Sequence, residues 1–167
     1  MKKFLGAIIS GLAGVLSLVF LALPGLTTKI ELMGMKESDT VSGWKMLTDG
    51  KAEYTAVTWY RIFAWILVVL AIVLIVVAVL QLLSSLGVIK MPAILNRVAT
   101  YALIALALVS ILALVANFGI RAEMIDDAGK EVLKAMGMSL SVGASLWVVS
   151  IVNVIAAVCG NLFKAKD

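Results

Sequence analysis

The residues that most often carry out chemistry are few in this sequence, and their positions keep them apart. The chain has no histidine and a single cysteine, Cys159, so a Ser–His pair, a Cys/His metal site and a dithiol exchange centre cannot be assembled. All ten Asp and Glu residues lie in polar segments or at the C-terminus, which leaves no carboxylate for proton transfer within an apolar region. No Gly-rich phosphate-binding motif is present. We therefore expect a protein that is not an enzyme and that binds no metal or cofactor.

The composition is typical of a chain that is solvated by lipid. Hydrophobic residues make up 63% of the sequence, charged residues 14%, and the mean hydropathy is +1.12. Soluble domains are about 45–50% apolar and about 25% charged, so this chain cannot cover itself with a polar surface. The net charge is +4, and the basic residues are too dispersed for nucleic-acid binding. The expected partner is the lipid bilayer, and nucleic acid is not expected.

Four apolar segments are long enough to cross a bilayer, whose hydrocarbon core of about 30 Å needs roughly 20 residues of helix. They cover residues 4–26, 57–86, 92–120 and 139–163. The second segment contains an unbroken apolar run of 19 residues, Ile62–Leu80. A helix is expected because an open strand in lipid would leave backbone groups unpaired. The sequence therefore predicts an all-α membrane protein in which the whole chain forms one antiparallel four-helix transmembrane bundle.

Basic residues are distributed unequally between the two ends of these segments. One side carries six Lys and Arg residues and Asp167, whereas the segments 27–61 and 121–138 carry eight basic and nine acidic residues. Because Lys and Arg favour the cytoplasmic side, we expect a multi-pass plasma-membrane protein with both termini in the cytoplasm and the loops 27–56 and 121–138 outside. The six basic residues of the cytoplasmic side are Lys2, Lys3, Lys90, Arg97, Lys164 and Lys166.

The first outer loop carries patterns that predict a small ordered extracellular cap. Residues 28–32 alternate between polar and apolar as a strand does, and residues 52–57 could be the antiparallel partner. Between them, Ser38 or Asp39 is expected to cap a short helix that ends near Leu47. The cap is thus expected to contain short strands and a short helix.

The second outer loop is predicted to be helical. Its apolar residues recur at three- to four-residue spacing, which predicts a helix that packs on the first loop or on the membrane surface. Asp126 and Lys130 are four residues apart, a spacing that favours an ion pair on one helix face. The apolar residues of this pattern are Met124, Ile125, Ala128, Val132 and Met136.

Small residues recur at about four-residue spacing in the first and fourth segments. In lipid, helices associate through the close packing of such residues rather than through a hydrophobic driving force. Two interpretations are open: an interface between subunits or a polar pathway, and packing within one bundle, which we prefer because a monomer needs the same contacts. The residues expected at these contacts are Gly6, Ser10, Gly14, Asn153, Ala157 and Gly160.

Three residues of the first outer loop and the following helix are candidates for contact with a partner. Trp44 and Met46 are apolar residues in a polar loop, where they either anchor a partner or pack beneath the cap. Arg61 follows Trp59 and Tyr60, as expected for a residue that anchors the helix at the headgroup level. A gating or lipid-binding arginine is the alternative.

The order of these features resembles that of claudins along nearly the whole chain. Both termini lie inside, and a longer first outer loop with strand-like ends contains Ser42-Gly43-Trp44. Claudins carry a tryptophan, a Gly-Leu-Trp motif and two cysteines in that loop, and this sequence lacks the cysteine pair. The chain is also similar to small tetraspan membrane proteins of bacteria. The resemblance implies the architecture only, because a shared fold does not determine function.

The function expected from these observations is that of a non-enzymatic interaction, assembly or accessory subunit. Its cap and helix faces would bind other membrane proteins or copies of itself. The alternative is a pore, channel or transporter subunit formed by oligomerisation, in which uncharged polar residues line the conduit. A carrier for lipids or small molecules is a third possibility. The residues considered for a conduit are Ser145, Ser150, Asn153 and Asn161.

Overall fold

The computed structural model describes residues 2–32, 35–48, 55–90, 92 and 94–162. The helices described are α1 (Lys2–Phe20), α2 (Gly43–Thr48), α3 (Thr55–Ser85), α4 (Ile94–Ala128), α5 (Lys130–Ala135) and α6 (Ala144–Leu162). The strands are β1 (Pro24–Leu32), β2 (Met35–Ser42) and β3 (Met138–Val142). We use the name cap for the three strands together with α2 and α5, which lie at one end of the four longer helices.

Three of the described helices, α3, α4 and α6, are long and apolar enough to cross a membrane. Helix α1 contains a shorter apolar stretch, Phe4–Phe20. The outward faces of the longer helices are apolar too, since Val69 of α3 is 56% exposed and Ile151 of α6 is 55% exposed. Continuous apolar surface of this kind is expected where a protein meets lipid. The three long helices therefore indicate a membrane protein.

The four longer helices alternate in direction because each successive helix begins at the end where the previous one finishes. Helix α1 packs mainly against α3 and α6, and α4 packs against the same two helices. Their shared core is mainly aliphatic, and van der Waals packing is one of the interactions that hold helices together in lipid. Its fully buried side chains include Leu67 and Leu74 of α3, Leu106 of α4, and Leu146 and Val149 of α6.

The first predicted segment, 4–26, extends too far at its C-terminal end. Helix α1 ends at Phe20, and the chain enters strand β1 at Pro24. Proline lacks a backbone N–H and disfavours helical conformation in the residue before it. The apolar residues Leu21 and Leu23 therefore belong to a turn and not to a continued helix.

The fourth predicted segment begins too early. Helix α4 runs through the third segment and on into the second loop as far as Ala128, whereas α6 begins at Ala144 and not at residue 139. Residues 138–142 form strand β3. Their Ser-Leu-Ser-Val alternation has the two-residue period of a strand, although it adjoins an apolar segment.

The sheet has the strand order β2-β1-β3, with both pairs antiparallel. In the register Leu26 faces Val142, Thr28 faces Leu140 and Ile30 faces Met138. Residues opposite one another project from the same face of a sheet, so these side chains form one mainly apolar face. That face meets α4 and α5, which contact β3, and Leu26 and Leu140 are buried there.

The predicted partner of the first strand was wrong. Residues 55–57 lie in α3, and residues 52–54 lie outside the described residues. Strand β1 pairs with β2 and with β3, which comes from the second loop. The short helix was confirmed as α2, but Ser42 and not Ser38 or Asp39 caps it, because the Ser42 Oγ accepts a hydrogen bond from the Lys45 N–H.

The second loop is helical as predicted, but it is divided at Gly129. Helix α4 ends at Ala128 and α5 begins at Lys130, with Gly129 between them at a φ of 75°. The left-handed conformation is available to glycine at little cost. Asp126 and Lys130 therefore lie on different helices, and the ion pair predicted on a single helix face does not form.

Gly137 provides a test of the sheet. It has a φ of 62°, and a Cβ added there would collide with the backbone carbonyl of Glu31 in β1. We expect Gly137→Ala to lower the free energy of unfolding by about 3 kcal/mol, from left-handed strain of ~1–2 kcal/mol and loss of the β1–β3 contact. Unfolding in mild detergent, followed by circular dichroism, measures the change.

The matched control is Gly87→Ala. Gly87 has a φ of 76°, but nothing lies within 4 Å of an added Cβ, so only the strain of about 1–2 kcal/mol is expected. Equal destabilisation by the two substitutions would show that β1 and β3 do not approach each other as described.

Candidate interaction surface

The cap is attached to the long helices through the carbonyl oxygen of Gly25 in β1. This oxygen accepts hydrogen bonds from the Gly143 N–H and from Nδ2 of Asn117, each at 2.9 Å. Asn117 is fully buried in α4, and Gly143 immediately precedes α6. A single acceptor therefore joins the first strand to two of the long helices. Asn117 lies within the predicted apolar segment 92–120, but its partner 92 residues away could not be predicted from the sequence.

Helix α2 is fixed to α1 and α3 by further hydrogen bonds to backbone carbonyls. The Trp44 Nε1 donates to the Leu18 carbonyl at 3.1 Å, and the Trp44 N–H donates to the Leu21 carbonyl at 2.9 Å. From α3, the buried Tyr60 hydroxyl donates to the Gly43 carbonyl at 3.1 Å. These bonds connect α2 to carbonyl groups at the end of α1 and to the side chain of α3 that packs on it.

Charged side chains complete the attachment of the cap. Arg61 Nε donates to the Met46 carbonyl at 3.3 Å, and Arg121 Nε donates to the Leu140 carbonyl at 2.9 Å. Near the cap, a Glu123 carboxylate oxygen of α4 accepts from the Ala56 N–H at 3.1 Å. This bond joins two long helices at the N-terminus of α3, where a negative charge is favourable. The cap is thus tied to α1, α3, α4 and α6.

The three candidate partner residues lie together, but they contact the protein itself. Trp44 and Met46 are half-buried in α2, and a Cβ on Gly25 would lie only 2.8 Å from the Met46 sulfur. Arg61 is half-buried and bonded to Met46. These contacts are those expected if the three residues pack between the cap and the long helices.

The predicted stripe in α1 is buried at two of its three positions, Ser10 and Gly14. A Cβ on Gly14 would lie 2.7 Å from the Ala71 carbonyl oxygen and 2.8 Å from Ile75 Cγ1, so α3 packs directly against this glycine. Ser10 is buried, and its Oγ donates to the Gly6 carbonyl at 3.0 Å. Gly6 itself has nothing within 4 Å of an added Cβ. Close packing is therefore concentrated at Gly14.

The predicted residues of α6 face α1 and α4. The fully buried Asn153 accepts a hydrogen bond from the Ser17 Oγ of α1 at 2.9 Å. A Cβ on Gly160 would lie 2.6 Å from Leu103 Cδ1 of α4. Ala157 is half-buried, and its carbonyl accepts from the Asn161 side chain at 2.9 Å. These contacts lie within one copy of the chain.

The outer edge of β2 is an unpaired polar surface of the cap. The Glu31 N–H donates to the Gly137 carbonyl, so the backbone of Glu31 faces away from β2. Glu31 lies opposite Lys36, so the backbone groups of Lys36 also point away from the strand it faces. Because the direction of hydrogen bonding alternates along an antiparallel strand, the backbone groups of Ser38 and Thr40 face outward as well. In the described part of the cap no strand pairs with them.

The side chains along β2 are also accessible to a partner, since residues 36–40 are all exposed. The sequence did not reveal this surface because it predicted a different partner for β1. The two-residue alternation of 138–142 was the signal that would have placed a third strand, and hence a free edge, in the cap.

No protein-family model, curated protein or solved structure matches the chain. Function must therefore be inferred from the contacts and surfaces of the molecule. The resemblance to claudins stays a prediction about the order of the elements.

Tyr60 tests the attachment of α2. We expect Tyr60→Phe to lower the free energy of unfolding by about 1 kcal/mol, because the buried bond from the Tyr60 hydroxyl to the Gly43 carbonyl is lost. Tyr101→Phe is the matched control, since Tyr101 is 71% exposed and its change should fall within about 0.5 kcal/mol. Thermal unfolding in detergent compares the two variants. Equal stability of the two variants would contradict the Tyr60–Gly43 bond.

Proposed function

We propose that this protein is a non-enzymatic membrane subunit that binds another membrane protein, or a second copy of itself, through its extracellular cap. The observation that carries this proposal is the free edge of β2, held on a cap that several hydrogen bonds tie to the long helices. Unpaired N–H and C=O groups along a strand bind an additional strand from a partner. A fixed platform loses little conformational freedom when a partner binds.

The proposal includes a transmembrane bundle of four helices, with α1 as the fourth span. Its apolar stretch of Phe4–Phe20 is at the short end of the roughly 17–25 residues that span a bilayer. Helix α1 packs between α3 and α6, and its Ser17 bonds to Asn153 of α6. Val15 and Val19 of α1 are exposed like the outer residues of the other helices.

The proposed orientation places the cap outside and both termini in the cytoplasm. The α3–α4 connection lies at the end opposite the cap, where Lys90 and Arg97 are exposed. An excess of Lys and Arg in short loops favours the cytoplasmic side. The cap instead combines basic and acidic residues in similar numbers.

The side chains of the β2 edge favour a charged and selective partner. Lys36 forms an ion pair with Glu31 at 2.9 Å, and both side chains are largely exposed. Glu37 and Asp39 are also exposed. Charged residues on an edge strand discourage indiscriminate strand pairing, so a partner needs complementary charges beside its own backbone groups.

A pore formed by several copies is the alternative, and the burial of its proposed lining residues makes it the weaker proposal. Ser145, Ser150 and Asn153 are buried within a single copy. The Ser150 Oγ donates to the Ser110 carbonyl at 3.0 Å, and Asn153 is bonded to Ser17. Asn161 is exposed, but its amide bonds to its own helix.

The orientation can be tested with single cysteines in a Cys159→Ser background. We expect a membrane-impermeant maleimide to label Lys45→Cys in intact cells, because Lys45 is exposed on the cap. Lys90→Cys, exposed between α3 and α4, should be labelled only after permeabilisation. The reverse pattern of labelling would invert the proposed topology.

The free edge can be tested with Ser38→Pro, which removes an outward N–H without removing a bond of the β1–β2 ladder. Native mass spectrometry of the protein extracted in mild detergent with its endogenous partners measures the fraction in a complex. We expect Ser38→Pro to weaken the complex roughly fivefold to tenfold, the effect of losing one or two hydrogen bonds.

Ser38→Ala is the matched control, because it changes the side chain and keeps the N–H. It should leave the complex unchanged, and the thermal midpoints of both variants verify that the cap is folded. A folded Ser38→Pro variant that assembles as well as the wild type, or a wild type that is only a monomer in native membranes, would contradict the proposed function.

A further inference from the structure

An open cavity of about 260 Å³ lies between the end of α4, helix α5 and strand β3. Arg121, Lys130 and Lys134 line it together with Ser139, and the rest of its lining is apolar. Among the described residues no carboxylate lines this cavity. It is large enough for several molecules of the size of water, each about 30 Å³ in the liquid.

The three cations of this cavity are not neutralised by the protein around them. Within the described residues the ion pair that forms is Lys36–Glu31, and no carboxylate lies within ion-pairing distance of Arg121, Lys130 or Lys134. Lys130 and Lys134 are four residues apart on α5, where like charges on one helix face repel. Gly129 separates α5 from α4, so Asp126 does not relieve the repulsion.

Arg121 is held in place by the sheet. Its Nε donates to the Leu140 carbonyl at 2.9 Å, and this is the hydrogen bond that its side chain makes in the described part of the chain. The planar guanidinium therefore keeps N–H donors for a ligand in a position that β3 fixes. Oxygen atoms of a phosphate accept two such N–H groups at once.

We propose that this cavity binds a phosphate group, supplied in the membrane by the headgroup of an anionic lipid of the outer leaflet. Arg121 is the first charged residue after the apolar stretch of α4, and the membrane orientation proposed above, on which this inference rests, puts the cavity at the headgroup level. Recognition of the phosphate itself depends only on the three cations.

A neighbouring cavity favours a ligand that has both a charged and an apolar part, rather than a small hydrated anion. Its volume is about 510 Å³, and it shares Leu133, Met138 and Leu140 with the basic cavity. These residues form an aliphatic wall beneath the sheet. Asp127 lines the neighbouring cavity, so the anionic group belongs in the basic one, with apolar parts of the ligand against the shared wall.

Native mass spectrometry tests the site with protein in nanodiscs of equal amounts of phosphatidylglycerol and phosphatidylcholine. We expect the wild type to retain phosphatidylglycerol selectively, and the double variant Lys130→Gln/Lys134→Gln to retain it roughly tenfold more weakly. The matched control is Lys29→Gln/Lys45→Gln. It removes two exposed charges from the cap outside the cavity and should behave as the wild type.

Inorganic phosphate distinguishes the two sources of the ligand. Added to the protein in detergent, phosphate should raise the thermal midpoint of the wild type and of the control, but not that of Lys130→Gln/Lys134→Gln. If phosphate stabilises the protein but phosphatidylglycerol is not retained selectively, the cavity binds a phosphate ligand from solution. The site would then stand without the proposed membrane orientation. Lipid selectivity without phosphate stabilisation would identify the lipid as the source.

Two results would overturn the proposal. In the first, both double variants lose phosphatidylglycerol equally, which would show that general surface charge and not this cavity attracts the lipid. In the second, the wild type neither retains phosphatidylglycerol selectively nor is stabilised by phosphate.

Discussion

The carbonyl oxygen of Gly25 is the point on which the rest of the structure depends. It accepts hydrogen bonds from the backbone of Gly143 and from the buried side chain of Asn117, and so it joins β1 to α4 and to the start of α6. Buried backbone groups need partners, and near an apolar region water cannot supply them. The turn at Pro24 and the break before α6 therefore occur where their polar groups can bond to each other.

Because the cap is attached at this junction, its surfaces have defined positions relative to the long helices. The apolar face of the sheet lies against α4 and α5, and the backbone groups at the outer edge of β2 are left free. The same packing places Arg121 beside Lys130 and Lys134. The proposed partner edge and the proposed phosphate site are thus separate surfaces of one rigid element, and either can fail without the other.

Much of the helical structure could be predicted from the sequence, because a long apolar run has few conformations open to it. The helical core of the second segment, around Ile62–Leu80, and the hairpin that follows it are examples. The ends near the cap could not be predicted in this way. Hydropathy does not distinguish the last turn of a span from an adjoining apolar strand, so Leu21 and residues 138–142 were assigned to helices.

The candidate sites depended on pairing that local patterns do not contain. Strand β3 joins β1 across more than 100 residues, and only this pairing reveals which edge of the sheet is free. The basic cavity forms because Gly129 divides two helices that the apolar spacing alone predicts as one. By contrast, Gly14 and Asn153 were selected by spacing and residue type, and they do lie at helix contacts.

Residue-resolved amide hydrogen exchange of the protein in nanodiscs tests whether the cap is folded onto the helices with the outer edge of β2 open. We expect slow exchange for Gly143, Glu37 and Asp39, whose N–H groups are bonded, and fast exchange for Ser38 and Thr40 in the isolated protein. Fast exchange at Gly143, Glu37 and Asp39 would show that the cap is not fixed. Equal protection at Ser38 and Glu37 would show that the edge is already covered.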